Sequence, residues 1–257
     1  MNTALTWWQV ALAGVLVLAT LALMSLVRVP GRGRMVWACV RMTAQLVLVG
    51  LVLGWVFAHP SPWLIGLVLL VMEVFAVWTV LGRLPENPPP GLRWVVSGGL
   101  VAGTVVSLAW FLLLVMTPDP WFDPRFVIPV AGMLLGAAMT GIALAVKNLG
   151  EGMEVRRAEI EDSLALGAAV PVAVRPVVAQ AFESAVLPQV TSMLGTGIVI
   201  LPGMMTGQIL AGQDPFAAIG YQIAVLLGQL GTVGICTFLV LRFGAGRYFT
   251  TRGMLRD

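Results

Sequence analysis

The sequence predicts an all-α membrane protein, a polytopic bundle of seven transmembrane helices. Of its 257 residues, 59% are hydrophobic and 11% are charged, which is more apolar surface than a soluble domain can enclose. Apolar runs of about 20 residues recur along the chain, the length of helix that crosses about 30 Å of hydrocarbon. These runs are continuous rather than alternating, which argues against a transmembrane β-barrel.

Short links rich in proline, glycine or charged residues separate the seven apolar runs. The runs cover approximately residues 4–27, 35–58, 63–81, 94–116, 126–146, 190–211 and 216–241. A single long polar stretch, at about 147–180, lies between the fifth and sixth runs. We therefore expect one transmembrane domain over residues 1–257, with this stretch as a cytoplasmic loop.

The distribution of Lys and Arg predicts the orientation. With the N-terminus outside, the outer links carry only Arg125, and Arg41 falls within the second run. The inner links and the tail carry all the others: Arg28, Arg32, Arg34, Arg83, Arg93, Lys147, Arg156, Arg157, Arg175, Arg242, Arg247, Arg252 and Arg256. Because basic residues collect in cytoplasmic loops, the N-terminus is expected outside and the C-terminus in the cytoplasm. The same bias accounts for the pI of 9.4 without a nucleic-acid partner.

Motifs for catalysis or cofactor binding are missing from the sequence. The one lysine, Lys147, precedes Asn148, so no phosphate-binding loop of the Gly-x-x-x-x-Gly-Lys-Ser/Thr type is present. His59 is the one histidine, and Cys39 and Cys236 lie in apolar runs, where they are expected to pack as small hydrophobic residues. We therefore expect no catalytic residue, no metal site and no cofactor bound by this chain.

The charged part of the long polar stretch, residues 151–169, is typical of a short amphipathic helix. Arg157 is spaced for helical ion pairs with Glu154 and Glu161, and Val155, Ile160 and Leu164 form an approximate apolar stripe. The helix is expected to end near Gly167. It could lie on the bilayer as a connector or dock a soluble partner, and its mixed charge favours docking, since acidic residues are repelled by anionic lipid. The candidate docking residues are Arg156, Arg157, Glu159, Glu161, Asp162, Leu164 and Gly167.

The sixth run contains an unusual stretch, Leu201-Pro-Gly-Met-Met-Thr-Gly-Gln-Ile-Leu-Ala-Gly212. A helix facing lipid does not need this proline, glycine and polar content, so we interpret it as a breakable, closely packed segment that transmits motion. Pairs of glycines four residues apart, which allow helix backbones to approach closely, occur at Gly50/Gly54, Gly99/Gly103, Gly132/Gly136 and Gly203/Gly207. Met204 and Met205 are weak candidates for soft metal contacts, and flexible packing is the simpler interpretation.

Two ionisable side chains fall inside predicted spans. Arg41 and Glu73 are expected at similar depth from the cytoplasmic side, either as an ion pair or as residues that stabilise the bundle separately. The full set of candidates for a transport path or for helix packing is Arg41, Gln45, Glu73, Pro202, Gly203, Met204, Met205, Thr206, Gly207, Gln208 and Gln222.

Several stretches carry a resemblance to a known family. Glu161 and Gly167, with Ala165 between them, are similar to the Glu-Ala-Ala-x-x-x-Gly loop of ABC importer permeases. The chain more closely resembles the FetB-type iron-export ABC permease family, which includes plant aluminium-tolerance relatives. The matching stretches are Arg41-Met-Thr-Ala-Gln45 with Gly50, Ile128-Pro-Val-Ala-Gly-Met133 with Gly136, Asn148-Leu-Gly150, Leu164-Ala-Leu-Gly-Ala168, and Leu201 to Gly207 continuing through Asp214-Pro215 to Tyr221-Gln-Ile223.

The resemblance implies a permease subunit of the cell membrane that exports iron or an iron-related solute. It implies two copies of this chain paired with two copies of a separate cytoplasmic ATPase, which would bind ATP and Mg. The chain departs from the family pattern at Ala137 and Glu183. A secondary transporter that needs no ATPase, an ABC permease for another solute, and a membrane scaffold without transport remain as alternatives.

Overall fold

The computed structural model describes residues 6–28, 31–85, 87–117, 120–250 and 254–256. The start of the first predicted run, residues 4–5, and Arg252 lie outside the described residues. Contacts divide the chain into two compact units, Met1–His59 and Pro60–Asp257. The expectation of a single transmembrane domain is not tested by this division and stays a prediction.

The first unit holds two helices, α1 (Trp7–Leu26) and α2 (Arg32–Ala58). They agree with the first two predicted runs, except that α2 begins three residues earlier than expected. A Cβ added to Gly50 or Gly54 would have no neighbour within 4 Å, so this glycine pair makes no close helix contact in the described chain.

The second unit is also helical. Its elements are α3 (Pro62–Leu81), α4 (Leu92–Trp110), which continues as a wider π-helical turn over Phe111–Met116, α5 (Pro124–Val155), α6 (Arg157–Ala165), α7 (Val170–Ala173), α8 (Arg175–Gly195), α9 (Gly203–Leu210) and α10 (Pro215–Gly244), followed by a 3-10 turn, Ala245–Tyr248. In the described part of the chain, extended pairing is limited to two isolated bridges, Thr196 with Ile200 and Phe249 with Leu255. The all-α prediction is therefore confirmed.

The N-terminal ends of α5 and α10 are built from the same local signal. Asp123 caps α5 by accepting a hydrogen bond from the Arg125 amide at 2.9 Å, and Asp214 caps α10 through the Ala217 amide at 3.0 Å. A proline follows each aspartate, where its fixed φ suits the first helical position and its missing N–H leaves no donor unpaired. Both helix starts can thus be read from the sequence.

Helix α10 packs closely along α4 at two glycines of α4. A Cβ added to Gly99 would lie 2.7 Å from Val240 Cγ2, and one added to Gly103 would overlap the sulfur of Cys236. The glycines therefore let the two helices touch, and buried residues on both sides, including Leu100 and Val96, close the core around them. This confirms close packing at the Gly99/Gly103 pair, whereas Gly136, Gly203 and Gly207 have open space around them.

The sixth predicted run is wrong as a continuous helix over 190–211. Helix α8 begins at Arg175 and ends at Gly195, the chain is non-helical from 196 to 202, and α9 is a separate helix of 8 residues. Helix α8 runs antiparallel to α5, since Val177 lies against Gly152 and Ala185 lies against Gly141. Its 21 residues give about 31 Å of helix, shorter than the 32-residue α5 against which it packs.

The long polar stretch, at about 147–180, is helical for most of its length, and the short helix predicted within it is present as α6. Helix α5 continues to Val155, and α6, α7 and the start of α8 account for most of the rest. Helix α5 is long because no proline or positive-φ residue interrupts it between Lys147 and Val155.

Five of the described helices are long and apolar enough to cross a membrane: Arg32–Ala58, Pro62–Leu81, Leu92–Met116, Pro124–Val155 and Pro215–Tyr248. A shorter apolar helix covers Ala11–Leu26. Helix α8 is more polar, because it carries Gln180, Glu183 and Gln189. The chain is therefore a multi-pass helical membrane protein, and the count of seven spans and the orientation stay predictions.

The contact between α4 and α10 makes a direct prediction. Substituting Gly103→Ala should destabilise the protein by about 1–3 kcal/mol, because the new methyl group meets both the sulfur and the backbone of Cys236. Gly98→Ala, on the same helix, meets nothing within 4 Å and should be neutral or slightly stabilising. Thermal unfolding of both purified variants in detergent checks this, and equal midpoints would contradict the packing described.

Candidate partner-docking surface

Helix α5 reaches beyond what a bilayer needs. Its 32 residues give about 48 Å of helix, against a hydrocarbon thickness of about 30 Å. Its C-terminal end carries exposed charges, with Lys147 and Glu151 paired at 3.7 Å. The end of α5 and the following α6 therefore form a polar projection on the side predicted to be cytoplasmic.

Helix α6 is attached to the bundle through a buried side chain, Ile160. Ile160 is 2% exposed and belongs to a buried apolar cluster that also includes Leu149 and Met153 of α5, Val177 of α8 and Leu241 of α10. Burial of an isoleucine stabilises a contact by roughly 1.5–3 kcal/mol. A displacement of α6 would therefore disturb this cluster, to which α5, α8 and α10 all contribute.

The predicted apolar stripe is wrong at one position. Val155 is 84% exposed, because α5 ends there and the backbone bends at Arg156 before α6 begins. Ile160 and partly buried Leu164 face the bundle as expected. Val155, Leu166 and Val172 are instead apolar side chains exposed around α6.

The charged residues of α6 lie on its outer side. Arg157 Nε donates to Glu161 Oε1 at 2.9 Å, an i,i+4 ion pair at the expected spacing. Glu159 and Asp162 are exposed. Glu159 lies in the first turn of α6, where the helix dipole stabilises a negatively charged carboxylate. Arg156 Nη2 donates to Gln180 Oε1 at 3.4 Å, which connects the start of α6 to α8.

Gly167 ends this segment. Its φ of +90° is a left-handed conformation that glycine adopts without a steric penalty, and its amide donates to Leu164 O at 3.0 Å. The glycine thus turns the chain directly after α6, as the sequence predicted.

A cavity of 1620 Å³ lies beside α6. Arg157, Glu161 and Leu164 form one wall, and Glu154 contributes from the end of α5. The opposite walls are the proline-rich link, with Asn87 to Pro90, and the folded-back tail, with Thr250 and Met254 to Arg256. The tail is held by the Arg256 amide, which donates to Tyr248 O at 2.8 Å.

The link and the tail were not among the residues singled out from the sequence. Their place at this cavity depends on tertiary contacts between segments more than 60 residues apart, which no local pattern encodes. The one available sequence signal is that both lie on the predicted cytoplasmic side.

The candidates inside the predicted spans lie on several different helices. Glu73 of α3 is half-buried and accepts a hydrogen bond from Thr104 Oγ1 of α4 at 2.9 Å, a partner that the sequence did not suggest. Arg41 and Gln45 lie in α2 of the first unit, so the pairing of Arg41 with Glu73 stays a prediction.

Glutamines connect three helices of the second unit. Gln229 of α10 accepts from Gln189 of α8 at 2.9 Å and donates to Met133 O of α5 at 3.4 Å. Gln222 is buried, and its Oε1, like that of Gln208, has no hydrogen-bond partner in the described chain. Such groups are polar positions within an otherwise apolar bundle.

The stretch at Leu201–Gly212 is not closely packed within one chain, which corrects that expectation. No residue of α9 is buried, and Met204 and Met205 are half-buried beside exposed Thr206. Pro202 precedes α9, and Gly203 and Gly207 leave open space along it. Among the described residues no three His, Cys, Asp or Glu side chains are grouped so as to hold a metal ion.

Comparison with known proteins identifies the family. Residues 7–249 match the model of an uncharacterised protein family, UPF0014, and the chain belongs to this family. It is 34% identical to the UPF0014 membrane protein slr1647 of Synechocystis sp., over 96% of this chain and 94% of that protein. No solved structure matches the chain.

Two further relatives carry functional names. The probable iron export permease protein FetB of Escherichia coli is 31% identical over 85% of this chain and 83% of its own length. Protein ALUMINUM SENSITIVE 3 of Arabidopsis thaliana is 34% identical over 79% of this chain and 72% of its own length. The resemblance drawn from the sequence is therefore confirmed at the level of the family.

The attachment of α6 can be tested with a matched pair of variants. Ile160→Ala should cost about 2–5 kcal/mol of local stability, because it leaves a cavity in the buried cluster to which α5, α8 and α10 contribute. Hydrogen exchange of residues 157–165 should then speed up, while Val155→Ala, which removes an exposed side chain, should leave exchange unchanged. Equal exchange in both variants would mean that Ile160 does not hold α6 in place.

Proposed function

We propose that this chain is the membrane permease subunit of an ABC transporter that exports iron or an iron-related solute, powered by a separate cytoplasmic ATPase. The observation that carries the proposal is the similarity to a protein named as a probable iron export permease, extending over 85% of the chain. The geometry of α6 adds physical support, since it offers a charged surface for a soluble partner.

Coupling would pass through α6. A partner that closes on ATP binding can push on the exposed charges Glu159 and Asp162 and on the exposed apolar side chain of Leu166. Ile160 would convey the displacement to the buried cluster that it shares with residues of α5, α8 and α10. In this proposal ATP and Mg bind to the partner, and this chain supplies no catalytic residue.

The substrate path would use weak contacts. A transported ion must leave as well as enter, so widely spaced polar groups suit a path better than a tight cluster of ligands. Glu73 with Thr104, and the glutamines of α8 and α10, are such groups within the helical layer. Met204 and Met205 add soft thioether sulfur near the outer end.

A secondary transporter is the second candidate, and Glu73 is the observation that favours it. A carboxylate within a span can couple transport to protons or other cations. This candidate differs from the first because it requires transport without an ATPase.

Co-purification separates the two candidates. The chain, expressed with an affinity tag from its own genome, should retain a nucleotide-binding subunit, and deletion of that subunit should raise cellular iron as much as deletion of this chain. Export that persists after loss of every associated ATPase would overturn the ABC assignment. If cellular iron stayed unchanged while the level of another solute changed, only the assignment of iron as the substrate would be overturned.

Charge reversal on α6 tests the docking surface. The double substitution Glu159→Arg with Asp162→Arg should reduce the amount of co-purified ATPase at least about tenfold, the effect of losing about 1.4 kcal/mol of binding free energy. Arg125→Glu reverses an exposed charge at the first turn of α5, at the opposite end of this helix from α6, and should retain the ATPase. Full retention in the double variant, with the protein still folded by gel filtration, would exclude this face of α6 as the docking surface.

A further inference from the structure

Glu73 lies in the middle of α3, and its hydrogen-bond partner is on the neighbouring helix. Its Oε1 is 2.9 Å from Thr104 Oγ1 of α4. Among the described residues of the second unit, no Lys or Arg forms an ion pair with Glu73. An ionised carboxylate within an apolar bundle is costly unless a cation or several donors surround it.

The Thr104 hydroxyl has more acceptors around it than it can serve. Its oxygen lies 2.7 Å from Leu100 O, 3.2 Å from Val101 O and 2.9 Å from Glu73 Oε1. A hydroxyl has one proton to donate, while its oxygen can accept two hydrogen bonds. The shortest contact is with the carbonyl one turn back, to which threonine hydroxyls in helices commonly donate. The hydroxyl proton is therefore assigned to Leu100 O.

The contact with Glu73 then needs a proton of its own. An ionised carboxylate is an acceptor only, whereas a protonated one has an O–H donor. A protonated Glu73 donates to Thr104 Oγ1 while Thr104 donates to Leu100 O, so both short contacts are satisfied at once. An ionised Glu73 would instead take the Thr104 proton, and Leu100 O would keep only the Cys236 thiol, a weak donor at 3.8 Å, as its side-chain donor in the described chain.

The helices packed around this contact supply no positive charge near Glu73. Helix α3 contacts α5 where Met72 lies beside Gly132, and Arg125 is about 10 Å further along α5. On α10 the nearby ionisable group is the Cys236 thiol, which cannot carry a positive charge. The other ionisable side chains of these helices lie toward their ends: Arg93 on α4, Arg125, Lys147, Glu151 and Glu154 on α5, and Tyr221 and Arg242 on α10.

We propose that Glu73 is a proton-binding site within the helical layer, where it holds a proton at neutral pH and donates it to Thr104 Oγ1. This inference goes beyond the proposed function, because it assigns a bound proton to the carboxylate, and it replaces the predicted ion pair with Arg41. Release of the proton to water leaves a negative charge on Glu73 and turns the Thr104 hydroxyl from Leu100 O toward it. Proton release therefore alters the contact between α3 and α4 and prepares the carboxylate to bind a cation.

A hydrophobic carbodiimide tests the site, because such reagents modify protonated carboxyl groups within membranes. Native membranes that contain the full chain are treated with dicyclohexylcarbodiimide at pH 7, and adducts are located by mass spectrometry of peptides. An ordinary glutamate is protonated in roughly one molecule in 500 at this pH, so Glu73 should be modified at least about tenfold more than exposed Glu159. The modification should decline only in more alkaline buffer. Glu73→Gln should remove this adduct, and Glu159→Gln, the matched control, should leave it unchanged.

Three results would overturn the proposal. An adduct on Glu73 that forms only in acidic buffer would show an ionised carboxylate at neutral pH. An adduct at pH 7 that appears only after Arg41→Gln would show that Arg41 pairs with Glu73. The third result is no adduct at any pH together with infrared spectra at pH 7 in which the chain lacks a carboxylic-acid band relative to Glu73→Gln.

That infrared band without an adduct would support the proposal, because it would show a protonated carboxyl group that the reagent does not reach. Thermal unfolding confirms that each variant is folded. None of these measurements uses the ATPase, so a failure of the proton site would leave the proposed function intact.

Discussion

The backbone's need for hydrogen bonds in hydrocarbon governs this structure. Water is absent there, so each segment within the bilayer must be a helix that pairs its own amides and carbonyls. The long helices α3, α4, α5 and α10 satisfy this requirement by themselves, and their side chains then only have to pack.

Composition was sufficient to predict most helices because apolar runs and aspartate–proline caps are local signals. It failed at α8, where polar residues are compatible with burial in the bundle. Gln189 is polar, yet its side chain is hydrogen-bonded to Gln229 on the neighbouring helix and lies partly buried in the bundle. The apolar run that was predicted instead, 190–211, contains Gly197, which adopts a φ of +92°, and Pro202, which together end one helix and start another.

The docking surface shows the same division between local and tertiary information. The Arg157–Glu161 pair and the turn at Gly167 follow from spacing and residue type, and both lie where the sequence predicted them. The bend at Arg156 turns Val155 away from Ile160, which periodicity alone cannot reveal. The walls contributed by the proline-rich link and the tail depend wholly on how the chain folds back.

Helix α8 connects the two ends of this arrangement. Its first turns touch the docking surface, through Gln180 bonded to Arg156 and Val177 in the same buried cluster as Ile160, and its last residue, Gly195, precedes the non-helical residues 196–202. Since α8 is a continuous helix of about 31 Å, a tilt imposed at its first turns must move its C-terminal end. Under the proposed function, a push on α6 would therefore shift the non-helical residues 196–202. The short non-helical segment allows that shift, because α9 can stay against α10 while α8 moves.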